Sequence, residues 1–133
     1  MFINSRWLAR VSASYTIPWQ KIGIAMFMNA RDGYPTPIAI QTPSRPNGGG
    51  IGTVYLAPLG DKRLDTFHNL DLRVDKTVKI QGNVKVVVSA DVFNALNGNI
   101  IQSERRTQNA ANANLISAIV APRVVRFGAR LTW

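Results

Sequence analysis

The chain has 133 residues, no cysteine and a formal net charge of +9, from 16 lysines and arginines against 7 aspartates and glutamates. Its length suits one domain, and its 46% of hydrophobic residues argues against a disordered or fibrous chain. Without cysteine, disulfide staples and thiolate metal sites are excluded. No stretch approaches the roughly 18 uninterrupted apolar residues that a membrane-spanning helix needs.

The first periodic segment runs from Arg6 to Ile17 and alternates apolar with polar side chains, with Leu8 the only misfit. Successive side chains of a strand point to opposite sides, so this period of two predicts a strand with one apolar and one polar face. A second, weaker alternation spans Lys21–Arg31. Only Pro18–Gln20 separates the two segments, which predicts a short turn.

Three more alternating segments follow along the chain. The clearest covers His68–Val78, and the next covers Asn83–Leu96 after the short connection Lys79–Gly82. The last covers Val124–Trp133. The same period of two predicts a strand for each of them.

The lengths of the connections discriminate between architectures. Two connections are short, whereas the other two run from Asp32 to about Leu64 and from Asn97 to about Arg123. Alternating short turns and long loops are typical of transmembrane β-barrels, and a compact soluble domain rarely contains two structureless loops of this size. We therefore predict an all-β fold: a partial antiparallel transmembrane β-barrel of about five strands, with two long extracellular loops, formed by residues 1–133.

The two faces of the predicted strands differ in chemistry. Aromatic residues lie near the ends of the apolar face, as expected for the girdles that flank a lipid-facing band roughly 25 Å tall. The predicted membrane-interface aromatics are Trp7, Tyr15, Trp19 and Trp133. The polar face would line a wet lumen, where charged side chains pair across the wall or contact a plug. The predicted lumen-facing polar residues are Arg10, Asp71, Arg73, Asp75, Asp91 and Arg130.

Several segments resemble a known family, the TonB-dependent receptors, and most closely the Oar-like receptors that carry an amino-terminal carboxypeptidase-regulatory-like domain. The closing strands of that family are similar to Phe67–Val74, Asp91–Asn97 and Ala121–Trp133. The turn Tyr15–Trp19 also resembles the family, as does Asp32–Pro35, where a strand breaks into a loop. The resemblance covers nearly the whole chain, but the long loops match only in length and polarity.

The resemblance implies that these are about five carboxy-terminal strands of a barrel with about 22 strands. The other strands, a plug domain and the segment that contacts the TonB complex would lie upstream. Met1 is therefore expected not to be the true start, and the residues after it lack the features of a signal peptide.

The function implied by the resemblance is energised uptake of an unidentified nutrient through the cell outer membrane. The carboxy terminus would be periplasmic, both long loops would be extracellular, and outer-membrane lipids would surround the wall. Substrate contacts, where this chain makes any, are expected within Pro35–Lys62 and Gly98–Ala121.

The last strand also matches the pattern that the barrel assembly machinery recognises at the end of outer-membrane barrels. Its residues in that pattern are Arg126, Gly128, Leu131 and Trp133. A strand edge offered to another protein is a physically reasonable recognition element. An ordinary amphipathic terminal strand is the alternative interpretation.

Two other functions remain open at this point. A small basic all-β module that binds nucleic acid fits the charge, but such modules place aromatic and basic side chains on the same face. Here Trp7, Tyr15, Phe127 and Trp133 share the apolar parity, and the arginines share the other. We therefore expect no nucleic-acid partner. A different outer-membrane porin is the second alternative, and only the family resemblance argues against it.

Residues that could carry chemistry are few. His68 is the single histidine and lies near Asp65 and Asp71 in the sequence. No nucleophile elbow or paired carboxylates accompany it, so we expect no catalytic, cofactor-binding or metal site, and we interpret His68 as a strand residue near the outer rim. Asn94 and Asn97 are expected to satisfy backbone groups where the fourth strand ends.

Overall fold

The computed structural model describes residues 4–58 and 60–133, and all regular secondary structure in this part of the chain is β-strand. The strands form one sheet of five and two sheets of two. Their bounds are β1 Leu8–Ile17, β2 Ile22–Arg31, β3 Ala39–Gln41, β4 Thr53–Tyr55, β5 Phe67–Gln81, β6 Val84–Phe93, β7 Ile101–Glu104, β8 Ile116–Ile119 and β9 Val124–Thr132.

The prediction of an all-β fold is confirmed, and the five long strands are the five segments that alternate in the sequence. They form one sheet in the order β1-β2-β5-β6-β9. The sheet is open, because β1 and β9 lie at its two edges and do not pair with each other. The antiparallel pairs β5–β6 and β6–β9 have continuous registers over most of their length.

The chain divides into two compact units. The sheet unit comprises Ala9–Ala30, His68–Gly98 and Ala121–Trp133, and therefore contains most of the five long strands. Among the described residues, the loop unit comprises 4–8, 31–58, 60–67 and 99–120. The two long connections are thus parts of a single structured unit.

Strand ends differ from the prediction for identifiable reasons. The third predicted strand, β5, extends to Gln81, so the connection to β6 is the two-residue turn of Gly82 and Asn83. Gly82 has a φ of 56°, which glycine adopts without steric cost. At the other end, β6 stops at Phe93 because Asn94, with a φ of 49°, leaves the extended conformation.

The expectation of two structureless loops is wrong. Each long connection contains a short antiparallel hairpin, β3–β4 in the first and β7–β8 in the second. The two connections also bond to each other, since the Ala39 amide donates to the Arg106 carbonyl oxygen at 3.1 Å and the Gln108 amide donates to the Ala39 carbonyl oxygen at 2.8 Å. These bonds account for backbone polar groups that would otherwise need water.

Gly33 lies where two backbone segments of the loop unit approach closely. A Cβ atom at this position would stand 1.7 Å from the Leu64 carbonyl oxygen, so Gly33→Ala must push the two segments apart. We expect a loss of about 3 kcal/mol in local stability, the upper range for overpacking. Hydrogen exchange of the Leu64 and Thr36 amides, which bond to Tyr34 and Lys62 across this junction, measures the effect.

The matched control is Gly50→Ala, because a Cβ atom there meets nothing within 4 Å. This control should leave amide exchange in the loop unit unchanged. Equal exchange rates for the Gly33→Ala protein and the unmodified protein would contradict the close approach.

The two units differ in whether they bury apolar side chains. In the loop unit the buried hydrophobic residues are Ala39 and Val120. In the sheet unit the only buried residues among those described are polar, with Asp91 at 6% exposure and Asn94 at 4%. Large apolar side chains of the same unit are exposed, among them Phe127 at 78%. The sheet unit therefore has no apolar core of its own.

Candidate functional site

The polar face of the sheet is organised around Asp91 in β6. Register places Arg73 of β5 opposite Asp91 on one side and Arg126 of β9 opposite it on the other. Asp91 Oδ1 accepts a hydrogen bond from Arg73 Nη1 at 3.1 Å. Asp91 Oδ2 accepts two from Arg126, from Nε at 3.1 Å and from Nη2 at 2.9 Å. One carboxylate thus joins three neighbouring strands.

The network continues along β5 on the same face. Arg73 Nε also lies 3.5 Å from Asp75 Oδ1, two residues further along the strand. Asp71, two residues before Arg73, accepts hydrogen bonds from Asn69 Nδ2 at 2.9 Å and from the Asn94 amide at 3.0 Å. Acidic and basic groups therefore alternate in space, which keeps the buried carboxylate paired.

The predicted lumen-facing residues fall into two groups. Arg73, Asp75 and Asp91 are joined by ion pairs, whereas Asp71 lies on the same face of β5 and accepts its hydrogen bonds from Asn69 and the Asn94 amide. Arg10 and Arg130 are exposed on β1 and β9, and in the described part of the chain they join none of its ion pairs. Arg126 is a partner of Asp91 in addition to being a residue of the terminal pattern.

The opposite face of the same three strands is apolar and exposed. Register partners share a face, so the strands present rows of three residues across β5, β6 and β9. The rows are Leu72–Val92–Val125, Val74–Ala90–Phe127 and Val78–Val86–Leu131. One row departs from the pattern, because Lys76 lies opposite Val88 and Ala129. A long lysine side chain can cover apolar neighbours with its methylenes while its ammonium group reaches a polar layer.

All four predicted interface aromatics are exposed. Trp19 lies in the short turn after β1, Tyr15 is close to the same end of β1, and Trp133 directly follows β9. Trp7 immediately precedes β1, at the other end of that strand. Their place at a membrane interface remains a prediction.

Three strand aromatics depart from the separation of aromatic and basic residues, because they share the parity of basic residues on their own strands: Phe27, Phe67 and Phe93. The Arg31 guanidinium carbon lies 4.9 Å from the centroid of the Phe67 ring. Phe93 is on the polar face, two residues after Asp91, and the Arg126 guanidinium carbon lies 5.1 Å from its ring centroid. This contact is a cation–π pair within the sheet. The four aromatics named in the sequence argument keep the opposite parity from the arginines.

The residues of the terminal pattern lie on β9 or directly after it. Arg126 and Gly128 are on the polar face, whereas Leu131 is on the apolar face. A Cβ atom at Gly128 would stand 3.0 Å from Ser89 Oγ, so the glycine leaves room for that side chain. Recognition by an assembly machine is not tested by this geometry and stays a prediction.

Asn94 closes the end of β6 as the sequence suggests. Its side-chain amide donates to the carbonyl oxygens of Gly98 at 3.0 Å and Ala121 at 2.7 Å, and its side-chain oxygen accepts from the Gly98 amide at 3.1 Å. The side-chain oxygen of Asn97 accepts from the Arg123 amide at 3.1 Å. The expectation that both asparagines satisfy backbone groups is confirmed.

Asn94→Ala should lower the free energy of unfolding by about 3 kcal/mol, at roughly 1 kcal/mol for each hydrogen bond lost. Urea titration of the folded protein measures this loss. Asn97→Ala is the control, because that residue also has a positive φ but forms one side-chain bond here, so its loss should be nearer 1 kcal/mol. Equal losses of unfolding free energy for the two variants would contradict a larger stabilisation by the three side-chain hydrogen bonds of Asn94.

A groove of about 500 Å³ lies on the sheet unit near the short turns. Its lining includes Lys21, Lys79 and Lys85 together with Asp75 and Thr77. Lys79 and Lys85 are register partners, and like charges in that relation destabilise a sheet. This end of the polar face is therefore cationic.

A second groove, of about 410 Å³, lies in the loop unit. Its lining comes from both long connections and includes Tyr34, Thr36, Tyr55, Glu104 and Arg106. Substrate contacts were expected within the two long loops, but at no particular residue. The residues that line this groove follow no periodic pattern in the sequence, because backbone pairing between irregular segments brings them together.

His68 is exposed on β5, in agreement with its interpretation as a strand residue. Within residues 4–58 and 60–133, no group of three or more histidine, aspartate or glutamate side chains is arranged to hold a metal ion. The same residues contain no helix of the length and apolarity that crossing a membrane requires.

Comparison with known proteins gave no match among protein-family models, curated proteins or solved structures.

Proposed function

We propose that this chain is a wall segment of an outer-membrane β-barrel, with lipid against its apolar face and water against its polar face. The observation that carries the proposal is the burial pattern of the sheet unit, in which Asp91 and Asn94 are buried while Phe127 and Leu131 are exposed. Soluble monomers rarely expose contiguous apolar surface of this kind. Lipid is the solvent that such a face requires.

Strand length supports the same proposal. The strands β1, β2 and β6 each have 10 residues, and β9 has 9. A transmembrane strand tilted by about 45° needs about 9–11 residues to cross the hydrocarbon layer. The polar face supports it as well, because Arg73 and Arg126 keep 45% and 63% of their side-chain surface accessible, as residues of a wet lumen do.

The two edge strands of the sheet indicate that a complete barrel contains further strands. The outer edges of β1 and β9 are unpaired in the sheet, and an open sheet edge is not viable in lipid. Further strands must therefore complete the barrel. With the resemblance to TonB-dependent receptors, we propose that the complete barrel is a receptor of that class and serves the energised uptake of a nutrient.

This proposal is tested in cells that make the protein, by separating soluble, inner-membrane and outer-membrane fractions and washing the membranes with urea. We expect the protein in the outer-membrane fraction after the wash, because lipid covers the apolar face. Recovery as a soluble monomer would overturn the barrel proposal. Outer-membrane location with uptake that does not depend on the TonB complex would retain the barrel and favour a porin.

A further inference from the structure

The groove beside the short turns of the sheet unit concentrates positive charge. Its volume of about 500 Å³ lies within the range of small-molecule sites, about 300–1,000 Å³. Three lysines line it: Lys21 from the first short turn, Lys79 from β5 and Lys85 from β6. Within the described part of the chain, none of the three takes part in an ion pair. Their charge is therefore available to a ligand.

The acidic residue in the lining, Asp75, does not neutralise these lysines. Its carboxylate lies 3.5 Å from Arg73 Nε, so it already has a cationic partner outside the groove lining. A Cβ atom at Gly23 would stand 2.9 Å from Asp75 Oδ1, which places this carboxylate against the backbone of β2. Three lysines against one paired aspartate give the groove a net positive charge. Such a groove attracts an anion and repels a cation.

Two of the lysines lie where their charges oppose the fold. Lys79 and Lys85 are directly opposite each other in the β5–β6 register, and like charges in that relation destabilise a sheet. The next pair on the same face, Thr77 with Val87, contributes no carboxylate that could separate them. An anion bound between the two ammonium groups would remove their repulsion, and it would stabilise the folded chain because it binds the folded state.

The third lysine is held in a strained backbone conformation. Lys21 has a φ of 51°, in the left-handed region that residues other than glycine rarely adopt. Its carbonyl oxygen accepts a hydrogen bond from the Thr77 amide at 3.0 Å, which fixes the turn against β5. Glycine would fit this conformation without strain. Strain of this kind is concentrated at functional sites, and here it accompanies an ammonium group at the groove.

The cations of the groove differ in kind from those of the Asp91 network. The Asp91 carboxylate is bound by the guanidinium groups of Arg73 and Arg126. A planar guanidinium fork matches a planar carboxylate, whereas lysine is a compact point charge that commonly binds phosphate. Hydroxyl groups of Ser14 and Thr77 also line the groove, and hydroxyls can donate to phosphate oxygens. Donors from several segments suit a tetrahedral anion, whose oxygens point in several directions.

An acidic peptide and a bilayer lipid fit the groove less well. Lys79 and Lys85 lie on β5 and β6, interior strands with paired neighbours on both sides, so a peptide finds no backbone edge beside them for strand addition. The same two lysines are on the polar face, whereas the adjacent Val78 and Val86 are on the apolar face. A lipid layer against the apolar face lies on the other side of the sheet.

We propose that this groove binds a soluble phosphate compound, either a phosphate ester or a diphosphate. A phosphate ester carries a charge of about −1.5 to −2 at neutral pH, which approaches the combined charge of two lysines. The site consists of residues of the sheet unit alone. It therefore does not depend on the barrel proposal, and the two fail separately.

The test uses the protein purified in a neutral detergent and measures binding by calorimetry at several salt concentrations. The soluble phosphates are pyrophosphate and glycerol 3-phosphate. Citrate is the carboxylate comparison, triglutamate the peptide comparison and short-chain phosphatidylglycerol the lipid comparison. We expect at least one soluble phosphate to bind more tightly than all three comparisons. Its affinity should fall as salt rises, because salt screens exposed charges.

Variants of the lysines locate the site. Lys85→Gln should weaken phosphate binding about three- to five-fold, the effect of one partly exposed ion pair. In phosphate-free buffer the same variant should raise the thermal midpoint, because it removes the repulsion from Lys79. Lys21→Gly should weaken binding by a similar factor without lowering the thermal midpoint, since glycine relieves the positive φ. Lysines with a merely structural role would not weaken binding while leaving stability intact.

Lys76→Gln is the matched control. Lys76 is on the same strand as Lys79 but on the opposite face, beside Val88. This variant should bind soluble phosphates as the unmodified protein does. Equal weakening by Lys76→Gln and Lys85→Gln would show a general effect of net charge and would overturn the site. Failure of both soluble phosphates to bind, or tighter binding of citrate, triglutamate or the lipid, would also overturn it. The barrel proposal is decided by fractionation and is untouched by these results.

Discussion

Val88→Arg should destabilise the membrane-inserted protein by about 2–4 kcal/mol, the cost of arginine near the bilayer midplane on the lipid face of a barrel. Val88 lies in the middle of β6, between Lys76 and Ala129 on the apolar face. In water the same substitution at a half-exposed strand position would change stability by less than about 0.5 kcal/mol. Urea titration of the protein folded into phospholipid vesicles measures the difference.

The neighbouring residue provides the control. Val87 is opposite Thr77 and Arg130, which places it on the polar face. Val87→Arg inserts the same side chain one residue away, and it should cost less than about 0.5 kcal/mol, the usual range for a substitution at a solvated surface. Equal costs for the two variants would show that the two faces meet the same solvent, and would contradict a lipid-facing wall.

Asp91→Ala should lower the free energy of unfolding by about 3 kcal/mol, the upper range for hydrogen bonds to charged groups. The carboxylate is 8% exposed and accepts from both Arg73 and Arg126, so its loss leaves two guanidinium groups facing each other. We expect a smaller loss than for a fully buried ion pair, because both arginines retain access to water. A urea titration at fixed salt measures the loss.

Asp75→Ala serves as the comparison. Asp75 is 32% exposed, and its ion-pair partner in the described part of the chain is Arg73, at 3.5 Å. Exposed ion pairs of this kind contribute less than about 1 kcal/mol, so the loss should be correspondingly small. If Asp75→Ala cost as much as Asp91→Ala, the central place of Asp91 in the network would be wrong.

The long strands are predictable from the sequence because a period of two reflects local geometry. Alternation from Val124 to Trp133 is enough to predict β9, since one face of a strand must differ from the other. Strand ends are harder, because they depend on single residues. The alternation continues past Asn94 to Leu96, yet the positive φ of Asn94 ends β6 at Phe93, three residues before the predicted end.

The contacts of Asp91 are only partly predictable. Its parity places it on the polar face, but its partners Arg73 and Arg126 follow from register. Register on the β5 side depends on the Gly82–Asn83 turn and on an irregularity between Lys79 and Gln81. A shift of one residue would have moved Asp91 to the apolar face.

The groove of the loop unit is not predictable from local sequence. Tyr34 and Glu104 are 70 positions apart by their residue numbers. Tyr34 lies in the irregular segment between β2 and β3, and Glu104 ends the four-residue strand β7, so neither belongs to a readable period. What brings the segments together is backbone pairing, such as the isolated bridge between Ala39 and Thr107. Pairing between distant irregular segments is set by the tertiary fold.

The most direct test of the lipid-facing wall is a nitroxide scan of residues 84–90 in the membrane-inserted protein, using single-cysteine variants of this cysteine-free segment. Collision rates with molecular oxygen report lipid, and rates with a water-soluble nickel complex report water. We predict that oxygen collisions peak at positions 84, 86, 88 and 90, and that nickel collisions peak at 85, 87 and 89. Equal nickel access at even and odd positions would contradict a sheet with one face in lipid.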